Sequence, residues 1–348
     1  MNSRTISLIT VLLFWGTHLR ADEQYKPKRC ELIPLPNHQV SFQIDGEQRL
    51  RWHYDSKYPR PFFYPLSGPT GTSLTRMGHP GAENHDHHRS VWFANHDVDG
   101  FTFWADGKGT QIRQKHWYAY EDGDQECIMG CVLGWYDSDG NERMTQDVIA
   151  ALIPGNRGEY ELELQTEFKP ASPQSTVVLG KTNFGFLAVR VAKSISEHFG
   201  GGKLTDSEGN VGEPNIFGKQ AKWMDYSGPV ASGNDGHRDV VIEGITYHDH
   251  PENPRYPTHW HVRSDGWMGA SFGMQEGLEL TAKKPLRLRY LLEVHSGAID
   301  SGRANTTHAR FGQRHGFVIQ RSTRPHRQYE VVRLTKLASN ETPESAAQ

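Results

Sequence analysis

The sequence predicts an all-β protein of antiparallel strands, a sandwich or barrel with few short helices. One observation is the alternation in "YELELQTEF" (160–168), with Tyr160, Leu162, Leu164 and Phe168 on one face and Glu161, Glu163 and Glu167 on the other. "LRLRYLLEV" (286–294) alternates nearly as well, and a period of two marks a half-buried antiparallel strand. A second observation is recurrence. "SVWFANHDV", "IRQKHWYAY", "CIMGCVLGWY", "QDVIAALI", "FLAVRVAKSI", "DVVIEGITYH" and "THWHVRS" follow at short spacing, broken by turns such as "DSDGNE" and "PGNRGE". A third is the scarcity of helical periodicity, for which "SISEHFG" is the best short candidate.

From the N-terminus, Arg4, the apolar "ISLITVLLFWGT" and the small residue Ala21 before "DEQYK" have the pattern of a secretory signal peptide over residues 1–21. The alternative is an uncleaved anchor, although the run falls short of the roughly 20 residues that span a bilayer. The rest of the chain is expected in the periplasm or secreted, with no further membrane span. Residues 22–339 show no break in composition and are expected to form one domain. The Gly-rich stretch 198–215 is expected as a long loop on its rim, and the polar tail 340–348 as disordered.

Three cysteines, Cys30, Cys127 and Cys131, provide no disulfide framework. Cys127 and Cys131 would lie about 13 Å apart along a strand, too far to bridge. The fold must therefore rest on its core. A formal net charge of -3 points away from nucleic acid and anionic surfaces, and towards small-molecule or neutral partners.

Several segments carry a resemblance in order over about residues 45–300: "RPFFYPLSGPTGTSLTR", "HDHHRSVWFANHDVDGFTFW", "GFLAVRVA", "GEPNIFGKQAKWMDYSGPV", "HPENPRYPTHWHVRSDG" and "LRYLLEVHSG". Together they resemble a bacterial family of secreted proteins labelled methane oxygenase PmoA-like. Oxygenase subunits of that name are membrane-embedded, whereas this chain has no apolar span beyond its leader, so the label implies no oxygenase chemistry. The resemblance implies a secreted antiparallel β-supersandwich, similar to the galactose-mutarotase-like fold, and a role in carbohydrate metabolism. After "WHVR" this chain reads "WMGASFG" where relatives read "NPF", a local departure.

The chemistry-bearing residues cluster. His79 and the stretch "ENHDHHRS" place His85, His87 and His88 beside Arg89, and three H-x-H pairs recur: His85/His87, His248/His250 and His259/His261. On a strand, residues two apart share a face, so each pair presents two imidazoles to one ligand. Imidazole titrates near neutral pH, which suits general acid/base work, and in its neutral form it ligates divalent transition metals. Both readings stay open at this point, beside a plain polar turn. The acid/base reading takes His85, His87, His88 and His261, with Lys219 to stabilise an oxyanion. The metal reading takes His85 and His87 with a third ligand, His79, Glu83 or Asp86, and a divalent metal as cofactor.

A sugar needs aromatic faces and flat hydrogen-bonding groups. Trp104, Tyr256 and Trp260 provide the former, with Trp92 and Trp223 nearby, and Arg76, Arg89, Arg190 and Arg263 the latter. Three function classes follow: a sugar epimerase, lyase or hydrolase using histidine, a metal-dependent enzyme, and a carbohydrate-binding β-domain without turnover. In each, "HDHHRS", "YHDHPENPRYPTHWHVR" and "FGKQAKW" are expected to converge on one concave face.

Overall fold

The computed structural model describes residues 26–79, 81–82, 85–232 and 239–334. The expected signal peptide, Glu83 and the tail from residue 340 lie outside the described residues. The first ten strands are β1 (Cys30–Leu35), β2 (Gln39–Ile44), β3 (Glu47–His53), β4 (Phe62–Leu66), β5 (Val91–Asn95), β6 (Gln111–Glu121), β7 (Cys127–Tyr136), β8 (Glu142–Pro154), β9 (Tyr160–Pro170) and β10 (Val177–Leu179). There follow β11 (Gly185–Arg190), β12 (Lys203–Asp206), helix α1 (Glu213–Ile216), β13 (Trp223–Ser232), β14 (Asp239–Asp249), β15 (Trp260–Arg263), β16 (Trp267–Ala270), β17 (Leu278–Leu280), β18 (Leu286–Ser296), helix α2 (Ser301–Gln313), β19 (Phe317–Arg321) and β20 (Tyr329–Arg333).

Two eight-stranded sheets carry the fold, in the orders β1-β2-β3-β4-β5-β11-β16-β15 and β12-β13-β14-β18-β9-β8-β7-β6. The strand pairs in both are antiparallel, as the alternating sequence requires. One buried cluster draws on both sheets: Trp52, Phe63 and Phe93 from the first, Trp135, Leu162 and Tyr290 from the second. This is an all-β sandwich. Burying each such side chain stabilises the fold by roughly 1.5–3 kcal/mol. The three cysteines are buried free thiols, and burial pushes Cys30 up to about 11.

Turn chemistry fixes register in the second sheet. The "DSDGNE" turn closes on the Asp137 carboxylate, which accepts from the backbone N–H of Asp139 (3.0 Å) and Asn141 (2.8 Å) and from Arg143. In "PGNRGE", Gly158 has φ 81° and a Cβ there would stand 2.9 Å from the Pro69 carbonyl oxygen, so glycine is required.

Three sequence expectations are corrected. The glutamate face of β9 is not open to solvent: Glu163 is fully buried among Arg289 (2.8 Å), Arg333 (3.0 Å) and Arg314 (3.2 Å), under α2 and the β19–β20 hairpin. The longest helix is not at "SISEHFG", which supplies only part of a single 3-10 turn at Lys193–Ile195, but α2, thirteen residues long. It buries Ala304, Thr307, His308 and Phe311 and is capped by Asp300, which accepts from the Arg303 N–H at 3.0 Å. With a threonine and a histidine on its buried stripe, it lacks the apolar period that reveals most helices. Finally, residues 198–215 are not one long loop, because they contain the edge strand β12 and the single turn α1.

Candidate functional site

The pleat of the first sheet builds the site. Val91, Phe93, Leu187, Val189 and Met268 point into the shared core, so their chain neighbours Trp92, Ala94, Ala188 and Trp267 point to the outer face, where they form a second apolar cluster with Phe62 and Trp104. Across β5, β11, β16 and β15 the register aligns Trp92, Ala188, Gly269 and His261 in one row. Large side chains stand at its ends and small ones between them. A Cβ on Gly269 would meet the Trp267 ring at 3.0 Å, so glycine lets that indole lie across the row. The next row brings Arg190, Trp267 and Arg263 together. The result is a cleft of about 370 Å³.

Its walls are aromatic and basic. Trp104, Phe184 and Trp267 line it with His85, His87, His88, His96 and His261, and Arg190, Arg263 and Asp265 complete the rim. The histidine segment is a tight turn and not a strand, with the His88 N–H donating to the His85 carbonyl at 3.0 Å. The shared face expected of an H-x-H strand pair is therefore corrected, but the turn still gathers the imidazoles. Ring centroids lie 5.9 Å apart for His85 and His87, 5.1 Å for His85 and His88, and 4.4 Å for His87 and His88. Arg60 and Arg89 both donate to the His87 carbonyl at 3.3 Å and hold the turn in place.

Two carboxylates brace the cleft. Asp106 bridges Arg60 (3.0 Å) and Arg89 (2.6 Å) at one end. At the other, Asp265 takes a bidentate contact from Arg190 (2.7 and 3.1 Å) and one from His79 Nε2 (3.0 Å), while its backbone carbonyl accepts from Arg76 at 2.8 Å. Burial alone would raise the Asp265 carboxyl, but the Arg190 guanidinium and the other donors outweigh it and hold it below its usual range.

Burial shapes the imidazoles in the opposite sense. His261 is 2 % exposed, and desolvation lowers it to about 4 despite its bond to the Asn183 carbonyl. That bond joins Nδ1 to the carbonyl at 3.0 Å, so Nδ1 carries the proton and Nε2 is left as the acceptor. His85 is lowered first by burial and then by His79 and Arg190, and His88 is pushed far down by burial between Trp92 and Trp267 and by Arg190. These three rings are neutral bases at pH 7.

Several sequence candidates fall elsewhere. Trp260 is fully buried on the inner face, with its indole N–H donating to Ala221 (2.9 Å) and its ring edge-on to Tyr247, so it is core and not a sugar platform. Alternation around Trp260 puts it inward and His261 outward. Lys219 is exposed after α1 and does not line the cleft. Tyr256 lies beside α2, where its hydroxyl meets His308 Nε2 at 2.8 Å. The buried His248 meets Glu293 at 3.4 Å, and His250 meets Arg289 at 2.8 Å. Arg76 and Arg89 are braces behind the walls. Convergence on one face thus holds for His87 and His261, and fails for His248, His250, Tyr256 and Lys219.

Sequence reading missed His96, Phe184, Asp106, Asp265 and Trp267. Trp267 opens the "WMGASFG" segment, and its indole forms part of the cleft wall. The "RSDG" that holds Asp265 reads as an ordinary turn; only the buried Arg190 across the sheet marks it. Among the described residues, no group of three or more His, Cys, Asp or Glu side chains has an arrangement that would hold a metal ion. No described helix is long and apolar enough to cross a membrane.

Fold and cleft together define a β-sandwich protein with a histidine- and aromatic-lined depression on the outer face of one sheet. The chain belongs to DUF6807, a family of unknown function, which matches residues 39–309 and so takes in every strand that lines the cleft. No curated protein matches it.

The neutral imidazoles make stability depend on pH. Above its ordinary value of 6.5, His261 is neutral whether the chain is folded or unfolded; below it the unfolded chain binds a proton that the folded site refuses until about pH 4. Stability therefore falls as pH falls through that window, by on the order of 3 kcal/mol for this residue. His250 and His308, also lowered to about 4 by burial, act in the same direction. Urea unfolding of the wild type should weaken steeply between these limits. A His261→Gln protein should show a flatter profile, and an equal slope in both would refute the assignment.

Proposed function

We propose that the cleft is the active site of a secreted or periplasmic carbohydrate-modifying enzyme of the epimerase, lyase or hydrolase type. In it, His261, with His85 and His87, moves protons on a sugar or sugar derivative. The observation that carries this reading is the gathering of neutral imidazoles in an aromatic-walled cleft whose volume, about 370 Å³, is in the range typical of small-molecule sites. Trp104, Trp267 and Phe184 offer apolar faces to a pyranose ring, and Arg263 stands exposed at the rim, paired with Glu213 at 2.8 Å and over the Phe217 ring. A base must be unprotonated at the working pH, and His261 is. Its fixed Nδ1–H leaves Nε2 as the proton acceptor.

The resemblance to the secreted PmoA-like family and to galactose-mutarotase-like supersandwiches points to the same substrate class. Arg190 and Asp265 serve here as positioning groups, and His79 orients through Asp265.

Thermal-shift screening of the purified protein against sugars, ketosugars and oligosaccharides tests this reading. A true ligand at a hundredfold excess over its Kd should stabilise by about 2.7 kcal/mol. The same screen on protein treated with a chelator separates the acid/base reading from a metal-dependent one. Loss of the response on chelation, restored by a divalent metal, would replace it. A panel with no stabilising sugar would remove carbohydrate as the substrate class.

A further inference from the structure

Among the described residues, the charge behind the cleft is unbalanced. Four arginines, Arg60, Arg76, Arg89 and Arg190, are turned into the protein around the site, and among the described residues they are opposed by two carboxylates, Asp106 and Asp265. Arg60 and Arg89 share Asp106. Arg190 takes both oxygens of Asp265, which leaves Arg76 a backbone carbonyl as its only hydrogen-bond acceptor among the described residues. Its Nε and Nη1 are buried with no partner there, as are the Nε atoms of Arg60 and Arg190. Surface ion pairs such as Arg263 with Glu213 are screened by solvent, whereas the buried Arg60, Arg89 and Arg190 are screened much less.

Uncompensated positive charge in a buried setting is costly, and native sites that hold it usually supply an anion. The imidazoles of His85, His88 and His261 do not compensate, since neutral rings carry no charge. Arg76 and Arg60 are each lowered to about 10, first by burial and then, for Arg76, by Arg190, as expected of guanidinium groups short of counter-charge.

We infer that the cleft takes an anionic ligand, a sugar acid or sugar phosphate, whose charged group settles towards the Arg76–Arg190–Asp265 end while its ring lies against Trp104 and Trp267. The inference rests on the proposed carbohydrate site for the ring and on the arginines alone for the anion. An anion there also makes protonation of the neighbouring imidazoles easier, which couples substrate binding to their role as bases.

Two sets of probes test it. Inorganic phosphate and acetate should raise the thermal midpoint of the wild-type protein, by about 5 °C at a hundredfold excess over Kd, beyond the effect of chloride at equal ionic strength. Arg76→Gln should lose most of that response. Uronates and sugar phosphates should bind about tenfold or more tightly than their neutral parent sugars, with the advantage shrinking between about 0.02 M and about 0.5 M salt. Which charged sugar binds better identifies the source of the anion. A response to the small anions without any sugar binding upholds the anion site and removes the carbohydrate reading. Equal affinity for charged and neutral sugars, with no specific response to phosphate or acetate, overturns the inference and leaves that reading standing. Should Arg76→Gln fail to fold, the wild-type comparison of charged with neutral probes decides alone.

Discussion

His261→Ala is expected to lower turnover of the ligand found by screening by about 10²- to 10⁴-fold, the usual contribution of a general acid or base. The expectation comes from the geometry of one side chain. Its Nδ1 is spent on the Asn183 carbonyl, its ring is fixed between Phe184, Phe217 and Trp267, and its other nitrogen is the acceptor of a neutral imidazole. Losing the Asn183 hydrogen bond should reduce stability by only about 1 kcal/mol, so the variant should fold. The pH profile separates catalysis from scaffolding: in the wild type the acid limb of kcat/KM should follow a group near pH 4, and in His261→Gln that limb should vanish with the activity. His87→Ala should lower turnover similarly if that ring is the partner acid. Unchanged turnover in both variants would make the histidine cluster a polar turn with no chemistry.

Asp265→Ala is expected to destabilise the fold by about 3–5 kcal/mol, the cost of leaving a buried charge without its partner. Arg190 is fully buried and donates two side-chain hydrogen bonds to the Asp265 carboxylate, at 2.7 and 3.1 Å. Removing the carboxylate leaves that guanidinium beside Arg76 without the acceptor of both its side-chain hydrogen bonds. Equilibrium urea unfolding measures the loss. The double variant Arg190→Met, Asp265→Leu should recover much of it, because replacing both members of a buried pair with apolar groups is far less costly than removing one. A single variant within about 1 kcal/mol of wild type would mean that solvent compensates Arg190 and that the pair is not a brace. Either protein should bind the ligand poorly, since the Arg190–Asp265 end of the cleft is gone.

Much of the sheet content was legible because strands write themselves in a period of two. "YELELQTEF" became β9 and "CIMGCVLGWY" became β7, each within a residue or two of its expected bounds. Helix α2 was illegible for the converse reason. Its buried stripe includes Thr307 and His308, whose burial is tolerated because Thr307 meets Glu293 and His308 meets Tyr256, partners that sequence distance conceals. The glutamates of β9 misled in the same way. Alternation correctly divided the strand into two faces, but whether the polar face meets water depends on what else folds onto it.

The candidate site shows the same division residue by residue. Local sequence determined the strands, the supply of imidazole, indole and guanidinium groups, and the alternation that sends Trp260 and His261 to opposite faces. Only the tertiary structure decided which candidates share a cleft. Strand order set β5, β11, β16 and β15 side by side, and register then aligned Trp92, Ala188, Gly269 and His261, residues up to 169 positions apart that no local pattern connects. It also decided protonation, because the closed sandwich buries the imidazole of His261, on β15, and desolvation holds that ring neutral. Side-chain period is a property of the backbone and can be read from a few residues, whereas desolvation and pairing are properties of the neighbours that a closed sandwich brings together.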